Sequence, residues 1–249
     1  MSSLVRAELL KIRTTRGWWA YLLVIVLLVG AATAGDVGTA EREVRSLVEF
    51  QVGLVEAAGF AALLALILGI TIVTTEFRHG TVTPTFLAAP SRERVLAAKA
   101  IAGGIVALFF GVLALLVVAA IALPWLSLVS ADIHLGAGDL GTRAAQTLLA
   151  AVLWGLTGVA IGSLVHSQVA ALVGTLIWAF LGETLIWGVL GLLDLDGAIR
   201  YLPFRALDAS DGTGGDDLLR YWPAVAVSVG WIAVLGAAGA LRTSRRDIT

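Results

Sequence analysis

The chain has 249 residues, 59% apolar and 14% charged, with a formal net charge of −1, whereas ordinary soluble domains run roughly 45–50% apolar and about 25% charged. A water-soluble globule is therefore excluded, and a mean hydropathy of +0.93 excludes a disordered or collagenous chain as well. Cysteine is absent, which removes disulfides, thiolate metal sites and cysteine nucleophiles, and the near-neutral charge with no single basic patch argues against nucleic acid as a partner.

A spanning helix needs about 20 largely apolar residues, and six such runs follow one another. They lie at about 18–34, 52–74, 100–123, 145–165, 169–193 and 223–241, so the predicted fold class is an all-α polytopic membrane protein, a single transmembrane domain over 1–249. Before the first run, Val5, Leu9 and Ile12 recur at helical spacing beside Arg6, Lys11 and Arg13. That pattern fits either a helix on the inner leaflet or a plain N-terminal flank. Ala32, Thr33 and Ala34 resemble a signal-cleavage site, but the preceding apolar run is longer than a usual signal core and favours a retained anchor. The five prolines are expected outside helix interiors, with Pro124 closing the third span and Pro223 opening the sixth.

Eleven of the 17 cationic residues sit at 6, 11, 13 and 16, at 78, 92, 94 and 99, and at 242, 245 and 246. Because Lys and Arg accumulate on the cytoplasmic side, the N- and C-termini and the 75–99 connection are predicted to be cytoplasmic, and the 194–222 segment external. Trp18 and Trp19 at one edge, and Trp125 and Trp222 at the other, suit the lipid headgroup region.

The 75–99 connection, TEFRHGTVTPTFLAAPSRERVLAAK, carries punctuation for a short helix. Thr83 can cap it, Pro84 open it, Phe86 and Leu87 give it an apolar knob and Pro90 end it; Ser91 can then cap a helix running into the third span. Such an element fits a groove on a soluble partner; an ordinary solvated loop is the alternative. Together with AELLKIRTTRGWW at 7–19, this segment resembles the permease subunit of bacterial ABC-2 type transporters, six-span proteins with a coupling helix between the second and third spans. The resemblance implies that Glu76, Arg78, Gly80 and Thr81 lead into that coupling helix, that residues 83–87 touch the ATPase, and that Arg92 and Arg94 lie on the stalk. It implies export across a bacterial cytoplasmic membrane, two separate ATPase subunits holding ATP and Mg²⁺, and a second permease copy, as homodimer or heterodimer. The chain cannot be the ATPase itself. A P-loop needs a lysine after glycine, and Lys11 and Lys99, the only lysines, follow Leu10 and Ala98. An ATP-independent channel or carrier, or a membrane scaffold, is the alternative function.

Glu56 and Glu183 are the acids inside predicted spans, where ionisable residues default to a functional reading. Glu56 is near enough to a helix end to snorkel. Glu183 either faces a polar cavity from a long fifth helix or follows a break at 181–183 that sends the chain back into the outer leaflet; substrate contact and a structural polar contact are both open. Phe60, Trp178, Phe180 and Trp187 could line an apolar pocket, or simply pack. Gly158 and Gly162 form a GxxxG pair that admits another helix closely, from the same chain or from a dimer partner. Gly136, Gly138 and Gly141 spell GxGxxG without a βαβ context. The Asp-rich 194–222 segment lacks the ligand order of a calcium loop and reads as a solvated loop. His79, His134 and His166 fall in three different loops, so no catalytic or metal site is expected.

Overall fold

The computed structural model describes residues 1–15, 17–81, 91–134, 136, 139–193, 195–212 and 218–244. Helix is the only regular secondary structure among them. The principal elements are α1 (Ser2–Thr14), α2 (Gly17–Thr39), α3 (Phe60–Arg78), α4 (Arg92–Leu128), α5 (Leu140–Leu164), α6 (Gln168–Ile177), α7 (Glu183–Leu192), α8 (Pro203–Ala209) and α9 (Tyr221–Ser244). Short helices at Arg42–Arg45 and Asp196–Ile199 fill connections, while a helix at Val48–Gly53 and a 3₁₀ turn at Leu54–Gly59 lead directly into α3. Among the described residues six helical stretches are long and apolar enough to cross a membrane: Gly17–Thr39, Val48–Arg78, Glu93–Leu128, Leu140–Leu164, Gln168–Leu192 and Tyr221–Arg242.

The innermost contact is the pairing of α3 with α5, and glycine makes it possible. Gly158 lies against the Leu66 carbonyl, Gly69 against the Gly155 carbonyl, and Gly162 against Ile70 and Val73. Backbones approach this closely only where there is no Cβ, which is how apolar helices associate without a hydrophobic driving force between them. The GxxxG face is thus occupied by the chain's own second span and is not a dimer seam. Around this pair α4 packs Ala102, Val106, Ala107, Phe110 and Ala114, all buried, against α2 and α3, while α9 closes the other side against α5. From α2, Ile25 and Val29 are fully buried in the same core.

Two expectations are corrected and one open choice is decided. Pro124 does not end the third span: it lies inside α4, a 37-residue helix that continues to Leu128. The proline stands near the end of the helix, four residues before Leu128, and membrane helices tolerate the lost backbone bond at such interruptions. Of the two readings of the fifth span, the long helix is the one that forms: Trp178–Gly182 is a π turn that carries the helical path from α6 into α7. The 194–222 segment is not a solvated loop throughout. Pro203 pre-sets the first turn of α8, and Phe204, Ala206, Leu207 and Ala209 are buried, with Phe204 edge-on to Trp154 at 5.6 Å.

Candidate functional site

At one end of the bundle, α1 lies across the ends of α3 and α4. Of the two readings of its apolar spacing the helix is the one that forms, but the buried face carries an acid: Glu8 and Ile12, one turn apart and therefore on one side, are both buried. Glu76, near the last turn of α3, and Lys99, two turns into α4, are buried beside it.

These side chains form a closed ionic cluster. Lys11 Nζ donates to Glu8 Oε1 at 2.8 Å and to Glu76 Oε1 at 2.7 Å. Lys99 Nζ lies 2.8 Å from Glu8 Oε2 and 2.9 Å from Glu76 Oε1, and reaches the Ile72 carbonyl at 3.4 Å. An ammonium has three donors, so Lys99, 3% exposed, has an acceptor for each. Two cations and two anions cancel, which is what makes the burial of Glu8, Glu76 and Lys99 tolerable. Burial pulls the Lys11 ammonium down, but its hydrogen bonds to Glu76 and Glu8 outweigh that and raise it above the ordinary lysine value. It therefore stays protonated at physiological pH, and its contribution fades only in alkali, above the ordinary lysine range. Beside the cluster is a cavity of about 420 Å³ that Lys11, Trp18, Tyr21, Thr71 and Glu76 help to line.

The cluster holds both ends of the 79–91 connection to α1. On the α3 side the helix ends in a Schellman turn: Thr81 N donates to the Glu76 carbonyl at 3.0 Å and Gly80 N to that of Phe77 at 3.4 Å. Gly80 has φ +68°, the left-handed conformation this cap needs and that glycine adopts freely. Arg78 Nη1 donates to Gln168 Oε1 at 3.3 Å, and the Phe77 ring lies 4.1 Å from that of His166, tying this end to the 165–167 turn. On the α4 side Ser91 Oγ accepts from Arg94 N at 3.4 Å, the cap expected from sequence. Arg92 is the first residue of the helix and Arg94 is exposed. Thr83, Pro84, Phe86 and Leu87 lie outside the described residues. Arg242 Nη1 donates to the Leu164 carbonyl at 2.8 Å, so the end of α9 shares this end of the bundle with α1.

Glu76 was singled out from the sequence; Glu8, Lys11 and Lys99 were not. A usable signal was present. In a chain with only two lysines, Lys99 stands within AAKAIAGG, too apolar a setting for an ammonium without a carboxylate partner.

At the opposite end a cavity of about 560 Å³ opens between the start of α3, α5, the α6–α7 path and α8. Phe60, Phe180 and Glu183 line it together, joined by Glu56. Trp178 does not line it; its indole lies against Gly182 at the π turn. Glu183 Oε1 accepts from Phe204 N at 2.7 Å and Oε2 from Arg205 N at 3.1 Å. These amides are free donors of the first turn of α8, so Glu183 caps that helix from a distant part of the chain. Among the described residues no group of three or more His, Cys, Asp or Glu side chains is placed to hold a metal.

Residues 3–248 match the family model described as ABC-2 family transporter protein. The chain belongs to the ABC-2 transporter family. No curated protein matches the sequence. The match takes in α1, the ionic cluster and all six candidate spans, so the chain is a multi-pass membrane component of an ABC-2 transporter, a family that associates with ABC ATPase subunits.

Proposed function

We propose that this chain is the permease subunit of an ATP-driven exporter in a bacterial cytoplasmic membrane. It pairs with a second permease copy and with two cytoplasmic ATPase subunits that hold ATP and Mg²⁺. The observation that supports this reading most directly is the ionic cluster, which fastens α1 to both helices that flank the 79–91 connection. A connection anchored at both ends to a rigid base suits transmission of force, whereas a connection loosely held would absorb it.

In this reading the ATPases grip Thr83, Pro84, Phe86 and Leu87. Closure on ATP moves that element against the base formed by Glu8, Lys11, Glu76 and Lys99. The movement passes into α3 and α4, whose uninterrupted 37 residues extend about 55 Å at 1.5 Å each. The glycine seam couples α3 to α5, so the same displacement reaches the far cavity. Two discrete arrangements of this base are what coupling would require.

The test is purification of the tagged chain from its native membranes in mild detergent, with mass spectrometry of what accompanies it. A stoichiometric soluble subunit carrying a P-loop is expected, and Phe86→Asp, which puts a charge on the apolar knob, is expected to lose that subunit while the permease still inserts. Repeated recovery without any ATPase would overturn the proposal in favour of a carrier or scaffold.

A further inference from the structure

We infer that the cavity opposite the ionic cluster is a binding site for an amphiphilic organic cation, with Thr175 as a hydrogen-bond acceptor at its inner wall and Asp208 as the anionic group at its mouth. The inference deepens the export reading by naming a substrate class.

The shape and walls come first. At about 560 Å³ the cavity falls in the range that holds drug-sized molecules. Phe60, Trp154, Phe180 and Phe204 line it, and aromatic faces attract cations as well as apolar bodies. Its carboxylates are Glu56, Glu183, Asp208 and Asp211, against one cation, Arg205. The Arg205 guanidinium is itself held over the Trp187 ring, 5.5 Å from the centroid. The lining therefore carries an excess of negative charge on an apolar, aromatic surface.

An acidic lining alone would not define a site; Thr175 adds an independent mark. Buried helical threonines normally satisfy their hydroxyl by donating to the carbonyl four residues back, and Thr33, Thr74, Thr147 and Thr157 all do so. Thr175 is 7% exposed and lines the cavity, yet its Oγ1 has no hydrogen-bond partner among the described residues. A buried polar atom left unpaired costs stability, and it is the kind of group that a bound ligand satisfies. An N–H of the ligand, whether an ammonium or an amino group on a cationic ring, would donate to its oxygen.

Asp208 supplies the electrostatic half. It is exposed at the cavity mouth but hemmed in by protein, and loss of hydration, the Asp211 carboxylate and the Glu183 carboxylate push it up to about 6, with Arg205 acting the other way. Neighbouring acids that oppose ionisation would be relieved by a bound cation, so cation binding and Asp208 ionisation favour each other. Above about pH 6 the carboxylate is ionised and attracts the ligand. Below it the proton takes the ligand's place and binding weakens.

The experiment is a titration of the full chain, reconstituted in phosphatidylcholine nanodiscs without any ATPase, with ethidium followed by fluorescence anisotropy and empty discs subtracted. Saturable binding is expected, displaced by tetraphenylphosphonium but not by the anionic amphiphile anilinonaphthalene sulfonate, and weakening several-fold from pH 7.5 to pH 5. Asp208→Asn should weaken it about tenfold, the scale of one charge contact in a partly solvated site. Thr175→Val should weaken it several-fold while leaving the melting temperature unchanged or raised, because it removes an unpaired buried hydroxyl. Binding no greater than to empty discs, equal binding of the anionic amphiphile, or full affinity in Asp208→Asn would each overturn the cation site. None of these bears on the ATPase partnership. Conversely, a chain recovered without an ATPase would refute export and leave the ethidium result standing.

Discussion

Lys99→Met is expected to destabilise the protein by about 3–5 kcal/mol, the cost of stripping one partner from a buried ionic group. The substitution keeps most of the side-chain volume, so packing is not what changes. It leaves the Glu8 and Glu76 carboxylates, buried, sharing the single ammonium of Lys11, which is itself half exposed. A companion variant separates charge from contact. In Lys99→Met with Glu8→Gln, one cation and one anion are removed together, and the Lys11–Glu76 pair at 2.7 Å remains matched. Thermal unfolding followed by fluorescence-detected size exclusion should show the single variant melting far below wild type and the double variant recovering most of the difference. Equal melting of Lys99→Met and wild type would mean that the cluster does not hold α1 to the bundle. In the assembled transporter the double variant has a second use. If the cluster is the base against which the 79–91 connection pushes, ATP hydrolysis should continue in that variant while transport per ATP falls; unchanged transport would confine the cluster to stability.

The six apolar runs, the α1 stripe and the Ser91 cap were legible because each depends on residues adjacent in the chain. Pro124 reads as a stop by local rules, yet α4 runs four residues past it to Leu128. The misreading of 194–222 involves partners distant in sequence. The 194–222 segment reads as solvated because six of its residues are Asp; α8 within it is held by Glu183, some twenty residues earlier, and by Trp154, some fifty earlier. Gly158 and Gly162 announced a close approach but not which helix makes it. The ionic cluster was least legible, since Glu8, Glu76 and Lys99 belong to three elements and only the fold brings them within 3 Å. The unpaired hydroxyl of Thr175 could not be read at all, because it differs from the other buried threonines only in a hydrogen bond it does not make.

The glycine seam carries the other large effect, and one substitution made at two places exposes it. Gly→Ala in an open helix position stabilises by about 0.5–1 kcal/mol, because glycine loses more backbone freedom on folding. Gly236, in α9, has nothing within 4 Å of where a Cβ would stand, and Gly236→Ala should follow that rule. At Gly158 the same methyl would fall on the Leu66 carbonyl, with the Gly69 backbone close behind. A crowded side chain can change rotamer, but a carbonyl inside α3 cannot move without the helix. The two backbones must separate, and Gly69, Gly155 and Gly162 lose their contacts with them. Gly158→Ala should therefore cost at least the roughly 1–3 kcal/mol typical of an overpacked core, and Gly158→Val should prevent recovery of folded protein. The two alanine variants should melt on opposite sides of wild type when measured in the same detergent. Coincident melting would show that α3 and α5 are not in backbone contact, and would remove the path by which movement at the ionic cluster reaches the far cavity.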